Sequence, residues 1–242
     1  MPESNDLRLA NKYGHSFVEK LGGDAHTTIK YGDITMDDVA GKFNMDIGYG
    51  NAIVGNTGDA SVTIKYGKFK LKSGEDIDIS SKYSKIYIDR AADIKSETKY
   101  DHYNLGDIRE LRNAGKYDHF DIESLERIDI QTKYTDINID ALHKSASMSM
   151  SYGGVRIEKL AADFSSLDLE GRYTDFKISP ASGAAYQLEA TARYGKIRYP
   201  DGMDVRREID KSNTHEVKGS VGGNGGAGVI KATLDYGGLR VY

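Results

Sequence analysis

Ile64-Lys65-Tyr66-Gly67 is the stretch on which the fold turns, because versions of it recur from one end of the chain to the other. Tyrosines stand at Tyr13, Tyr31, Tyr49, Tyr66, Tyr83, Tyr100, Tyr117, Tyr134, Tyr152, Tyr173, Tyr194 and Tyr236, separated by steps of 18, 18, 17, 17, 17, 17, 17, 18, 21, 21 and 42 residues. A short fixed period marks a solenoid, in which each repeat is one turn of the chain. The last step is two of 21 with His215 at its midpoint, so the spacing predicts thirteen repeats, one of which has lost its ring.

Aligned on the tyrosines, the chain resolves into columns. Positions two, four and six before the ring are apolar or small, as in Ile64 and Val62 before Tyr66, or Leu234, Ala232 and Ile230 before Tyr236. Alternation of that kind is a half-buried strand. After the ring the apolar positions fall three and five later, at Phe69 and Leu71, Ile86 and Ile88, Phe120 and Ile122, Phe176 and Ile178. An odd offset after an even one predicts a corner just after the tyrosine. Gly14, Gly32, Gly50, Gly67, Gly153, Gly195 and Gly237 occupy it, replaced elsewhere by Ser84, Asp101, Asp118, Thr135 and Thr174. Since threonine tolerates positive φ poorly, the corner calls for smallness more than for a left-handed backbone. A third apolar column, eight after the ring, includes Leu21, Val39, Ile108, Leu125, Leu142 and Leu160.

The prediction is an all-β, single-stranded parallel β-helix of about 13 coils, one solenoid domain over residues 1–242, with coils of 17–18 residues over 7–152 and of 21 residues over 153–242. Gly219 to Gly228 reads as a Gly-rich loop in the second part. Gly223 to Gly228 matches G-x-G-x-x-G in letters only, since a strand, not a helix, follows and no helix dipole is there for a phosphate.

Composition excludes several function classes. Lys and Arg total 33 against 37 Asp and Glu, and a net charge of -4 offers no general attraction for nucleic acid or an anionic membrane. There is no cysteine, hence no disulfide and no thiolate chemistry. No apolar run approaches membrane-spanning length, and Met1-Pro2-Glu3-Ser4 lacks the features of a signal peptide, so an exported protein would be present here in processed form.

Three constellations remain. His102 and His119, flanked by Asp101 and Asp118, lie two after a tyrosine in neighbouring coils and could ligate a transition metal; the alternative is a solvated turn in which each Asp caps its own backbone. Lys65, Lys82, Lys99, Lys116 and Lys133 precede the ring in five consecutive coils, with Arg172 and Arg193 later in the same column. This stripe could track a polyanion or be ordinary surface chemistry. The ladder of Tyr31, Tyr49, Tyr66, Tyr83, Tyr100, Tyr117, Tyr134, Tyr152, Tyr173, Tyr194 and Tyr236 has an inward reading, which parity with the preceding apolar positions favours, and an outward one, as a platform for sugar rings. No nucleophile with its base stands out, and no cofactor is implied.

Asn11-Lys12-Tyr13-Gly14, Ile29-Lys30-Tyr31-Gly32-Asp33-Ile34 and Asp235-Tyr236-Gly237-Gly238-Leu239 resemble a family of exported β-solenoid proteins of Gram-negative bacteria regarded as adhesins. The resemblance implies a right-handed parallel β-helix outside the cytoplasm, without established catalytic residues; members carry a signal peptide and further sequence ahead of such repeats, which this chain lacks. The expected function is a non-catalytic binding or scaffold module at the cell envelope, offering flat faces to glycan or protein. The alternative is a polysaccharide-active enzyme using the larger C-terminal coils, with Asp201, Asp204, Glu208 and Asp210 as its acids. Neither Leu7-Arg8-Leu9 nor Leu239-Arg240-Val241 carries an obvious polar cap, which predicts end-to-end association through open strand edges.

Overall fold

The structure is a computed structural model that describes residues 5–222 and 228–242. It comprises two compact units, Met1–Phe120 and Asp121–Tyr242. Both are β-solenoids built by stacking parallel coils, as the columns predict.

In the first unit, the strands preceding the tyrosines are β1 (Leu7–Asn11), β3 (Ala25–Lys30), β5 (Phe43–Gly48) and β7 (Ala60–Lys65), and those following are β2 (Gly14–Val18), β4 (Gly32–Met36) and β6 (Asn51–Asn56). From there the strands run through both faces as β8 (Lys68–Lys82), β9 (Lys85–Lys99) and β10 (His102–Lys116). Each pairs in parallel with the equivalent stretch one coil on, so Ile29 lies beside Ile47 and Ile47 beside Ile64. Identical columns therefore stack at the strand spacing of about 4.8 Å. Ile29, Ile47, Ile64, Phe69 and Ile86 are buried, as are Leu21, Val39 and Ile108 of the third column. That column forms a narrow third side, with bridges Leu21 to Val39 and Val39 to Thr57.

The corner differs from the sequence reading in one decisive respect. The residue with positive φ is the tyrosine itself: Tyr31, Tyr49, Tyr66, Tyr83, Tyr100 and Tyr117 have φ between 53° and 62°. A left-handed residue reverses the strand's in-and-out alternation, so parity no longer points the ring inward. Every ladder ring lies outside, between 39% and 67% exposed, and the inward placement is overturned. The glycine that follows is needed for close approach: a Cβ on Gly50 would stand 1.9 Å from the carbonyl oxygen of Gly32, and one on Gly67 2.1 Å from that of Gly50. Left-handed backbone costs an L-residue about 1–2 kcal/mol. Two ring stacks per tyrosine, at about 0.5–1.5 kcal/mol each, offset it.

The second unit contains the rest of β11 (His119–Leu160), then β12 (Ser166–Pro180), β13 (Tyr186–Arg193), β14 (Ile197–Arg198), β15 (Asp204–Lys211), β16 (Thr214–Val221), β17 (Gly228–Asp235) and β18 (Leu239–Val241). Its coils are longer because turns are added after Leu160 and Pro180, and Phe164 is folded into the core against Tyr186. Spatial order departs from chain order here. β17 pairs in parallel with β12 on one side and with β13 on the other, so the last coil of the chain fills a slot between two earlier ones. Gly171 makes room for it, since a Cβ there would meet Leu234 at 2.9 Å.

The stretch around His215 is therefore no thirteenth coil. β16 runs antiparallel to both β13 and β15, forming a hairpin along the outer edge of β13. His215 is buried in that hairpin; its Nδ1 accepts the Ile197 N–H at 3.0 Å and its Nε2 lies 3.0 Å from Glu208. β18 is likewise not a bare terminal edge, because it lies between β12 and β14. Of the stretch read as a loop, 219–221 belong to β16 and Gly228 begins β17, while 223–227 lie outside the described residues.

Candidate functional site

The left-handed corner turns a repeated phrase into a surface. In the first unit Tyr13, Tyr31, Tyr49, Tyr66, Tyr83, Tyr100 and Tyr117 form one outward rail, with ring centroids 5.8, 5.1, 4.9, 5.0, 4.8 and 4.6 Å apart in turn. From Tyr31 onward the rings are within 8° of parallel. The first rung is the loosest, tilted by 21°, and here the positive φ falls on Gly14 instead of the tyrosine. In the second unit the rail runs Tyr134, Tyr152, Tyr173, Tyr236, Tyr194, the same inversion of order as in the strands.

Such a stack uses up the ring faces. Inside the stack each face is turned toward a neighbouring ring, which leaves mainly hydroxyls and ring edges for solvent, and the edge is the electropositive part of the aromatic quadrupole. The rail is therefore a poor platform for sugar or base stacking and a good neighbour for oxygen anions.

The flanks reinforce this. Immediately before the rings, Lys65, Lys82, Lys99 and Lys116 stand in register, one per coil. Two residues after the rings, Lys68, Lys85, His102 and His119 form a second column in the same coils, the first three in register. Among the described residues no carboxylate lies within ion-pair distance of the six lysines. Lys99 leans over the Tyr100 ring at 5.2 Å, and Lys68 over Tyr87 at 5.1 Å. The second flank was not recognised from sequence as part of the stripe, although its signal, the column two after each tyrosine, was visible.

In the second unit the first column breaks. The residues before its rings include Lys133, Ser151 and Arg172, with Ser151 beside Arg172, and Asp235 occupies the place between Arg172 and Arg193 and binds Arg193 through both its oxygens at 2.5 and 2.6 Å.

The four-residue metal cluster does not assemble. His102 and His119 are neighbours, ring centroids 4.8 Å apart, but Asp101 and Asp118 occupy the corner column and turn into the coil. Asp101 accepts from the Ser84 N–H at 2.7 Å and the Lys99 N–H at 2.8 Å, and Asp118 from the Asp101 N–H at 2.9 Å. Ser81 and Thr98 complete the set with hydroxyls at 2.8 and 2.7 Å. These carboxylates thus replace glycine's backbone packing with side-chain bonds from coil to coil. Burial raises both above the usual carboxylate range, Asp118 to about 6, and pushes the Tyr103 phenol beside them far up.

Of the acids proposed for a hydrolase, Asp201 lies in the turn before β15, and Asp204, Glu208 and Asp210 lie on β15. Asp210 pairs with Lys196 at 2.7 Å, while Glu208 accepts from Tyr199 at 2.9 Å and contacts His215. The His215 and Tyr199 bonds hold the Glu208 carboxyl below its ordinary range, and the Lys196 bond does the same for Asp210. β15, which carries Asp204, Glu208 and Asp210, is an exposed strand over nearly its whole length.

No protein family, curated protein or solved structure matches the chain.

Proposed function

We propose that this chain is a non-catalytic binding module, of the adhesin type that its repeats resemble, which acts outside the cytoplasm and lays its tyrosine rail along an acidic glycan. The observation that carries the reading is the outward rail of the first unit, with lysines in register on both flanks and, among the described residues, no carboxylate paired to them. Like charges stacked directly opposite one another across strands are destabilising. Such a column is retained at a cost to the fold, and a ligand that carries anionic groups at regular intervals removes that cost. An extended polymer suits a surface that is itself periodic, because each coil repeats the same tyrosine hydroxyl and ammonium donors. Ammonium-to-carboxylate or sulfate bonds are charge-assisted and individually strong, and their number grows with the length engaged.

The test is equilibrium binding to a polyuronate, a sulfated polysaccharide and a neutral glucan, for the parent chain and for a variant carrying Lys82→Glu, Lys99→Glu and Lys116→Glu. Binding to the acidic polymers, weakened by salt and lost in the variant, is the expected result. Equal binding to the neutral glucan, or unchanged binding by the variant, refutes it. Preference for single-stranded nucleic acid over both acidic polysaccharides would refute the glycan assignment while leaving the rail as the site.

A further inference from the structure

The second unit carries a separate cationic feature. Four residues after its rail tyrosines, Arg156, Lys177, Arg240 and Arg198 stand side by side in consecutive coils, Arg156 beside Lys177, Lys177 beside Arg240, and Arg240 beside Arg198. They are scattered in sequence. The column exists only because β18 is threaded between β12 and β14. Two of the nearby cations are satisfied, Arg156 by Glu158 and Lys196 by Asp210. Among the described residues, Lys177, Arg240 and Arg198 have no carboxylate within ion-pair distance.

Beside these three lies a cavity of about 350 Å³, bounded on its rail side by Tyr194 and Tyr236. Gly238 lines it too, and a Cβ there would stand 3.1 Å from the Lys196 carbonyl oxygen and 3.4 Å from an Asp175 oxygen. Among the described residues Asp175 is the one acid on its lining, and one of its oxygens is occupied by the Gly238 N–H at 2.8 Å. The Tyr242 hydroxyl lies 3.5 Å from Arg240, and that bond, with the charges of Arg240, Lys177 and Arg156, holds the phenol below its ordinary value. Arg240, Lys177 and Arg156 thus place positive charge around the phenol.

We propose that this cleft binds a phosphate monoester, held by Arg198 and Arg240 with Lys177 as the third cation. A guanidinium presents two parallel N–H donors that match two oxygens of a tetrahedral anion, whereas an ammonium contributes a point charge. Two forks and one ammonium in consecutive coils are suited to a doubly charged group with three free oxygens. The volume admits a group about the size of a sugar phosphate and is too open to enclose one. The site is independent of the rail of the first unit and uses none of its residues.

The experiment is a titration of the whole chain with inorganic phosphate and with a hexose phosphate, read by calorimetry and by the NMR-detected titration of a selectively labelled Tyr242. Saturable binding is expected. Arg198→Gln or Arg240→Gln should weaken it by about tenfold or more, since each removes charge-assisted bonds. Bound phosphate should move the Tyr242 phenol back toward its ordinary value, a readout that a mere loss of stability does not give. Lys82→Glu, Lys99→Glu and Lys116→Glu together should leave phosphate binding intact, so a failed rail and a failed cleft are separable. Binding to vesicles containing phosphatidic acid, with none to the hexose phosphate, would assign the same chemistry to a lipid headgroup; the converse would assign it to a saccharide. Absence of saturable binding in every arm, or binding that survives both arginine variants, overturns the proposal.

Discussion

Replacing Tyr100 tests the corner and the ladder together. Tyr100 stacks on Tyr83 at 4.8 Å and on Tyr117 at 4.6 Å, with φ of 61°. Truncation to alanine removes two stacks of about 0.5–1.5 kcal/mol each and keeps a Cβ in the left-handed region, so a loss of about 1–3 kcal/mol is expected. Glycine removes the same stacks but also the left-handed penalty of about 1–2 kcal/mol, against an added unfolded-chain entropy of about 0.5–1 kcal/mol. Tyr100→Gly should therefore be less destabilising than Tyr100→Ala, the reverse of the usual order inside a strand. Tyr100→Phe, which keeps the stack, should stay within about 0.5 kcal/mol of the parent. Urea unfolding followed by circular dichroism would give the order from the midpoints, provided the slopes are unchanged. If glycine proves worse than alanine, the tyrosine does not occupy a strained corner and the outward rail loses its physical basis.

Further outcomes follow from the same geometry. Gly50→Ala, whose Cβ would lie 1.9 Å from a carbonyl oxygen, should cost roughly 2 kcal/mol or more, while Gly48→Ala, with nothing within 4 Å, should stay within about 0.5 kcal/mol on the same unfolding curves. The buried Asp118 is raised to about 6 from a model-peptide value of 3.8, so its folded form holds a proton that the unfolded chain has already released between those values. Its contribution to stability is full below about pH 4 and is lost as pH rises through 6, amounting to at most about 3 kcal/mol. Unfolding midpoints at pH 5 and 7.5 should show it. Asp118→Thr, which installs the residue found at two other corners, should flatten that difference; a parent chain more stable at pH 7.5 than at 5 would contradict the assignment. Asp235→Ala, breaking an exposed ion pair with Arg193 that solvent screens, should leave the urea midpoint almost unchanged.

Much of this fold was legible because one rule repeats. Ile64, Val62 and Ala60 before the ring and Phe69 and Leu71 after it are buried where the alternation puts them, and Leu21 and Val39 close the third side. The direction of the tyrosines was not legible. Parity assumes extended backbone at every residue, and one left-handed residue at the ring itself inverts the outcome. Smallness at that corner was correctly demanded, but for the approach of one coil's backbone to the next.

The threading of β17 was illegible for a different reason. Column alignment assigns each segment to a coil without saying which coils are neighbours, and Ile230 and Ala232 fit between Leu167 and Leu188, and between Leu169 and Ala190, as well as they would fit at the end of a stack. His215 looked like a degenerate rung because it lies 21 residues from both flanking tyrosines, yet its strand runs the other way. Of the candidate site, one lysine column was read from sequence. The second became visible only when the rings between the two were placed outside.

The most direct measurement of the central claim is an NMR titration with a polyuronate, using labelled tyrosine rings, lysine side chains and isoleucine methyl groups. Tyr66, Tyr83 and Tyr100 should shift together with Lys65, Lys82, Lys99, Lys68 and Lys85, while the buried Ile64 and Ile86 stay in place. Shifts confined to another face of the coils, with the tyrosine rail unmoved at saturation, would contradict it.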